Sequence, residues 1–201
     1  MGSNDILPLH VPSHVKPTCY VLLQFGGLLW TLCYALYVRE SLKSKSYGMP
    51  LFALAQNFAW ELVYAVYVAE SPLEQSVFTL WLVFDLGMIY GVVKFGKYEW
   101  KQSPWIARNV GVVLIVMIGV ATLGQWTFAK WWTENEVGRK EGKPYRGRIG
   151  PGTNELGVWT AAVAQVYLSA ASLCQLVVRQ HSGGVNWTFW ACRMFGSISE
   201  L

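Results

Sequence analysis

Five apolar stretches, each about long enough to cross a bilayer, decide what this chain can fold into. The hydrocarbon core of a membrane is about 30 Å thick, which takes roughly 20 helical residues at 1.5 Å per residue. The stretches cover roughly residues 19–38, 51–68, 78–93, 110–128 and 156–178. They are continuously apolar and do not alternate with polar residues, which argues against a membrane β-barrel. The sequence therefore predicts an all-α, polytopic transmembrane helix bundle.

The composition agrees with a membrane protein. The chain is 53% hydrophobic and only 14% charged, whereas soluble domains carry nearer 25% charged residues. The net charge of +4 lies in the loops and is interpreted as a topology signal, not as affinity for nucleic acid. The loops after the first and third stretches are the basic ones, so we expect them on the cytoplasmic side.

The domain organisation is simple. A polar tail with three prolines covers residues 1–17, and a single transmembrane helical domain covers 18–201. A long loop at about 129–155 is rich in charged residues and glycine, and it is predicted to be the mobile segment. A last apolar stretch at 187–201 is short for a full crossing, so we expect about five full spans plus a partial sixth.

One carboxylate stands near the middle of the second stretch. Burying the charge of Glu61 at that depth costs roughly 2.5–3.5 kcal/mol on insertion scales, so a helix that served only as an anchor would not keep it. Asn57, Trp60 and Tyr64 lie three or four residues from Glu61 and are expected to share its helix face. Glu61 is therefore the first candidate for a functional residue.

A second carboxylate, Asp85, lies near the centre of the third stretch and is flanked by Trp81 and Met88. Lipid cannot solvate either acid, so both must face the bundle interior, a watery cavity or each other. A carboxyl kept protonated in an apolar cavity is a usable Brønsted acid, and aromatic faces stabilise cations. This interpretation requires a hollow beside Glu61. The alternative is that both acids join helices through buried hydrogen bonds.

The residues that are absent narrow the chemistry. All three histidines lie outside the apolar stretches, and the sequence has no phosphate-binding glycine loop, no zinc-ligand spacing and no aspartate-rich magnesium motif. We therefore expect no metal and no cofactor. Acid-initiated chemistry on a neutral, lipid-like molecule remains if the protein is an enzyme. The predicted site has Glu61 as catalytic acid and six substrate-binding residues: Asn57, Trp60, Tyr64, Trp81, Asp85 and Met88.

Several short motifs occur along roughly residues 20–198. The most specific is Asn57-Phe58-Ala59-Trp60-Glu61 with Tyr64 following. The others are Tyr47-Gly48-Met49, Tyr90 with Lys94-Phe95, Glu99-Trp100, Ser172-Leu173-Cys174-Gln175-Leu176, and Trp190 with Arg193 and Gly196-Ser197. In order and spacing these motifs resemble those of a known family, the fungal membrane-bound terpene cyclases of meroterpenoid and indole-diterpene pathways.

The resemblance implies a seven-helix membrane protein that protonates a terminal epoxide or an olefin on a prenylated substrate and guides the resulting cation into fused rings. It implies no metal or organic cofactor, and it makes Glu61 the match to the family's catalytic acid. The expected partners are a lipophilic, prenylated and epoxidised small molecule and membrane lipid. The expected location is a multi-pass position in the endoplasmic reticulum membrane.

Two departures from the family pattern leave alternatives open. The family's second acidic residue, in its last helix, has no counterpart in this chain, which stops within what would be the sixth helix. A C-terminally shortened cyclase is the leading hypothesis. A truncated, non-catalytic membrane subunit or inactive remnant is the second. A small transporter is a third, which only the intramembrane carboxylates favour.

Overall fold

The computed structural model describes residues 9–140, 142–145 and 148–199. Within them the chain forms six α-helices, which are α1 (Val15–Ser44), α2 (Leu51–Val63), α3 (Pro72–Glu99), α4 (Pro104–Glu134), α5 (Thr153–Arg179) and α6 (Trp187–Ser199). A π-helical segment, Tyr64–Val68, continues α2. Five helical stretches are long and apolar enough to cross a membrane, and the 13-residue α6 is not one of them. The prediction of an all-α bundle with about five spans and a shorter sixth helix is confirmed.

The helices are longer than the apolar stretches because polar residues also extend them. At the start of α3, the Ser71 hydroxyl accepts a hydrogen bond from the backbone N–H of Glu74, and Pro72 occupies the first turn. Both residue types favour a helix N-terminus. α3 therefore begins six residues before the predicted stretch at 78. α1 likewise begins at Val15, inside the region predicted as a polar tail, of which residues 1–8 lie outside the described part of the chain.

The second helix is the centre of the bundle. In the stretch Leu51–Val68, 61% of residues are buried, against 17% for the α4 stretch and 6% for the α5 stretch. α2 packs against α3, α4 and α5, whereas α1 packs against α3 and α6. The outer helices expose apolar side chains such as Val178 and Ile115, as expected of surfaces that lipid covers. The polar residues of α2 thus lie in the protein interior.

The connection between α1 and α2 is held against the end of α5. Arg179 donates a hydrogen bond to the Tyr47 carbonyl (2.8 Å), and its guanidinium lies 4.0 Å from the centre of the Tyr47 ring. Gln175 donates to the Gly48 carbonyl (2.8 Å). A Cβ atom on Gly48 would lie 2.4 Å from the carbonyl oxygen of Gly184, so only glycine fits this approach. The loop therefore fixes the start of α2.

The long loop differs from the prediction at both ends, because α4 continues to Glu134 and α5 begins at Thr153. It also contains a two-stranded antiparallel pair, β1 (Pro144–Tyr145) and β2 (Arg148–Ile149), which the sequence analysis did not predict. The Lys143 ammonium lies 2.6 Å from the Glu70 carboxylate, and both side chains are buried. The described part of a loop predicted to be mobile is thus tied to the bundle.

Candidate active site

Four polar side chains from three helices meet inside the bundle. Tyr34 comes from α1, Asn57 and Glu61 come from α2, and Asp85 comes from α3. Glu61 and Asp85 are both 0% exposed. The four-residue spacing of Asn57 and Glu61 places them one turn apart on the same face of α2, where both reach α1 and α3.

The Asn57 amide is the hub of this cluster. Its nitrogen lies 2.7 Å from the Tyr34 hydroxyl, 2.9 Å from Oε1 of Glu61, and 3.1 and 3.3 Å from the two Asp85 oxygens. An amide has only two hydrogens to donate, so these four acceptors compete for them. Tyr34 also donates its hydroxyl hydrogen to Oε1 of Glu61. The two donors therefore converge on one oxygen of Glu61.

The two carboxyls form a pair that needs a proton. Oε1 of Glu61 and both oxygens of Asp85 lie within hydrogen-bond distance of the same Asn57 nitrogen, and two carboxylates held so close together repel each other unless one of them is protonated. Among the described residues, no lysine, arginine or histidine forms an ion pair with either. Oε2 of Glu61 is buried and receives no hydrogen bond from a described donor. That oxygen is the favourable position for the proton.

Aromatic rings continue from this cluster through the bundle. Trp81 is stacked on Tyr34, with ring centroids 5.6 Å apart and an interplanar angle of 8°. Phe78 makes edge contacts with both Trp81 (5.8 Å) and Trp60 (5.3 Å). Trp60 in turn stacks on Tyr64 at 4.3 Å. The ring faces offer negative potential near the carboxyl pair, which favours a cation there.

The predicted site residues fall into three groups. Asn57, Glu61 and Asp85 come together, and Trp81 reaches them by stacking on Tyr34.

The side chains of Trp60 and Tyr64 instead follow a neighbouring stripe of α2. The Trp60 indole N–H donates to the Thr160 hydroxyl (2.9 Å), and the Tyr64 hydroxyl lies 2.7 Å from the same oxygen. Met88 is buried one turn beyond Asp85 and lines a small cavity there.

Sequence reasoning missed two residues, Tyr34 and Thr160. Trp30, Tyr34 and Tyr37 recur at spacings of four and three in α1, which marks one helix face. This spacing could have indicated Tyr34, but tyrosine and tryptophan are also enriched at membrane–water interfaces, so the pattern is not specific to a site. Thr160 gives no such signal, because its hydroxyl meets Trp60 and Tyr64 only when α5 packs on α2.

Neither of the two described cavities is lined by Glu61, although the sequence hypothesis requires a cavity beside that residue. One is an open groove along the outer face of α3, and the other lies next to Met88. In this structure the Glu61 carboxyl is enclosed by protein, so access to it requires side chains such as Tyr34 or Trp81 to move. Within the described residues, no group of three or more His, Cys, Asp or Glu is placed to hold a metal ion.

Comparison with known proteins now decides the family. A family model described as Pyr4-like transmembrane terpene cyclases matches residues 7–201. The chain belongs to the Pyr4-like transmembrane terpene cyclases. Membership confirms the resemblance inferred from the motifs, makes the chain a multi-pass membrane protein, and implies a lipophilic, prenyl-type substrate.

Three fungal relatives show how similar this Pyr4-like chain is to proteins that are named terpene cyclases. It is 40% identical to terpene cyclase ascF of Acremonium egyptiacum, over 96% of this chain and 69% of the relative. It is 34% identical to Pyr4-family terpene cyclase mfmH of Annulohypoxylon moriforme, over 98% and 77%. It is 32% identical to terpene cyclase penB of Penicillium crustosum, over 91% and 68%. No solved structure matches the chain.

Proposed function

We propose that this protein is a membrane terpene cyclase that starts polyene cyclisation by protonating an epoxide or olefin of a prenylated substrate, with Glu61 as the acid. The observation that carries the proposal is the asymmetry of the Glu61 carboxyl. Oε1 accepts hydrogen bonds from Tyr34 and Asn57, whereas Oε2 is buried without a described donor. A proton on Oε2 is therefore oriented, and it can be given to a substrate oxygen or alkene carbon that comes within reach.

The proposed reaction balances without a cofactor. With an epoxide, the O–H bond of Glu61 breaks as an O–H bond forms on the epoxide oxygen, and the C–O bond opens to leave a tertiary carbocation. Successive alkenes attack the cation and form C–C bonds. The last cation loses a proton from carbon and becomes an alkene. The product is an isomer of the substrate, and Glu61 must then regain a proton.

The remaining predicted residues are proposed as the wall that contacts the substrate. Trp60, Tyr64 and Trp81 present ring faces that stabilise a migrating cation, at about 0.5–2 kcal/mol each. Asn57, Asp85 and Met88 are proposed to form the part of this wall that lies nearest to Glu61. Because Glu61 is 0% exposed, the substrate enters by displacing some of these side chains, and the reaction then proceeds away from water.

The proposal extends to biological context. The relatives named above are fungal terpene cyclases, which supports a role in fungal meroterpenoid or indole-diterpene biosynthesis. The proposed membrane is the endoplasmic reticulum, and the proposed substrate is an epoxidised prenyl side chain on an aromatic or indole core.

The test is conversion of an epoxyprenylated aromatic or indole substrate by membranes that contain this chain as the sole heterologous protein. Wild type is expected to give cyclised product, and Glu61→Gln to give none above background. Glu134→Gln is the matched control, since Glu134 lies on the surface of α4 with its carboxylate largely exposed. Product formation by Glu61→Gln at the wild-type rate would remove Glu61 from the mechanism.

A further inference from the structure

A small cavity lies one helical turn from the carboxyl cluster. Three of the residues that line it, Tyr37, Leu54 and Met88, are each three positions from a cluster residue in their own helix: Tyr34, Asn57 and Asp85. Three helical residues advance about 4.5 Å. On all three helices the step goes towards the same end of the bundle, where α1 and α3 end and α2 begins. The cavity therefore lies between the buried acids and that membrane surface.

The cavity is lined by hydrogen-bonding groups that have no partner among the described residues. The Tyr37 hydroxyl and the Ser41 hydroxyl are both buried, at 2% and 3% exposure, and neither forms a hydrogen bond with a described residue. Both residues line the cavity, together with Tyr47, Gly48 and Met49 of the α1–α2 connection. An unsatisfied buried hydroxyl is costly, and in proteins such a group is commonly paired with an internal water.

The size of the cavity selects the ligand. Its volume is about 10 Å³, and on this measure one water molecule needs on the order of 10–15 Å³. A larger ligand would not fit, and an apolar one would leave both hydroxyls unpaired. Gly91 preserves the space on the α3 side, because a Cβ atom there would lie 2.3 Å from the Ser41 oxygen.

We propose that Tyr37 and Ser41 bind a single internal water that returns protons to the Glu61–Asp85 pair from the end of the bundle where α1 and α3 end. This inference rests on the proposed function. After each turnover Glu61 lacks the proton that it gave to the substrate, and at 0% exposure it cannot take one directly from bulk water. Bulk water at that end of the bundle supplies the proton: the bound water gains one proton on the side of the Tyr47–Met49 loop, gives one to the carboxyl pair, and remains neutral.

The presence of the water is tested by X-ray hydroxyl-radical footprinting of wild-type protein in lipid nanodiscs. Radicals form from waters bound inside the protein and modify the side chains beside them. Tyr37 is expected to be modified despite its burial. Tyr64 is the matched control, since it is also buried at 1% but its hydroxyl is paired with Thr160. Modification of Tyr37 no faster than Tyr64 would overturn the water site.

The relay is tested by comparing single-turnover with steady-state cyclisation. Tyr37→Phe and Ser41→Ala are expected to lower the steady-state rate about tenfold, the effect of losing one hydrogen bond to the water, while the first turnover keeps its wild-type rate. The controls are Tyr98→Phe and Ser44→Ala, which change exposed hydroxyls. Equal slowing of both phases, or no slowing of either, would overturn the relay.

These outcomes are separable from failure of the proposed function. If Glu61→Gln retains the wild-type first turnover, the acid assignment fails while the footprint still decides whether the water is bound. If Glu61→Gln loses the first turnover and Tyr37→Phe shows no steady-state defect, the acid assignment stands and the relay fails.

Discussion

Tyr34 of α1 donates a hydrogen bond to Oε1 of Glu61, 27 residues later in α2. This contact joins the first two helices at the acid and leaves the other carboxyl oxygen as the position for the proton. Tyr34 also carries the stacked ring of Trp81. One side chain thus orients the proposed acid and supports the nearest aromatic face.

Loss of the Tyr34 hydroxyl should impair chemistry more than binding. Tyr34→Phe keeps the stacking on Trp81 and removes one of the two donors to Glu61. We expect turnover to fall about tenfold, since a hydrogen bond contributes up to roughly 1.5 kcal/mol, with the substrate KM little changed. Tyr20→Phe, an exposed change in the same helix, is the control for steady-state kinetics in membranes. Turnover equal to that control would contradict an orienting role.

Asp85 should matter through the proton that it shares with Glu61. Asp85→Asn preserves shape but cannot share a proton as a carboxyl does. We expect the cyclisation rate to drop about 100-fold, the lower end of what a positioned proton-transfer group contributes. The thermal unfolding midpoint of the solubilised protein should change little, because Asn keeps a carbonyl oxygen that can accept a hydrogen bond from the Asn57 amide. A rate within twofold of wild type would restrict Asp85 to joining helices.

The sequence predicts those features of the site that have a local cause. Glu61 and Asp85 are recognisable because a charge inside an apolar run is costly, and Asn57 follows from helical spacing. Tyr34 and Thr160 were missed because their roles arise only when α1 and α5 pack against α2. Trp60 and Tyr64 share a face with Glu61 by spacing, yet packing gives them a different partner.

The difference between local causes and long-range packing also explains which parts of the fold the sequence predicts. Apolar runs predict the membrane spans, but the predicted bounds fall where the apolar residues stop. The observed helix α3 instead starts at the cap formed by Ser71 and Pro72. The two-residue strands of the loop are too short to show any periodicity. The pairing of Lys143 with Glu70 joins residues 73 positions apart, which no local pattern predicts.

The Thr160 hydroxyl should be important for stability of the aromatic cluster. Thr160→Val is nearly isosteric and leaves the Trp60 indole N–H and the Tyr64 hydroxyl without their partner. Each unsatisfied buried group costs about 1–3 kcal/mol, so a clear drop in the thermal midpoint is expected. Thr79→Val changes an exposed threonine that bonds only to its own helix and should be close to neutral. Equal midpoints for the two variants would show that other groups satisfy the indole and the phenol.

The Lys143–Glu70 ion pair should be the strongest tie between the long loop and the bundle. The Thr153 hydroxyl also joins the pair, as acceptor from Lys143 at 2.8 Å and as donor to Glu70. Lys143→Met removes one partner of a buried ion pair, and breaking such a pair typically costs about 3–5 kcal/mol. The double variant Lys143→Met/Glu70→Met removes both charges and should recover most of that loss. Lys130→Met breaks an exposed pair with Glu134 and should cost less than about 1 kcal/mol. Thermal unfolding in detergent ranks the three variants, and a double variant no more stable than Lys143→Met alone would show that the loop is held by contacts other than this charge pair.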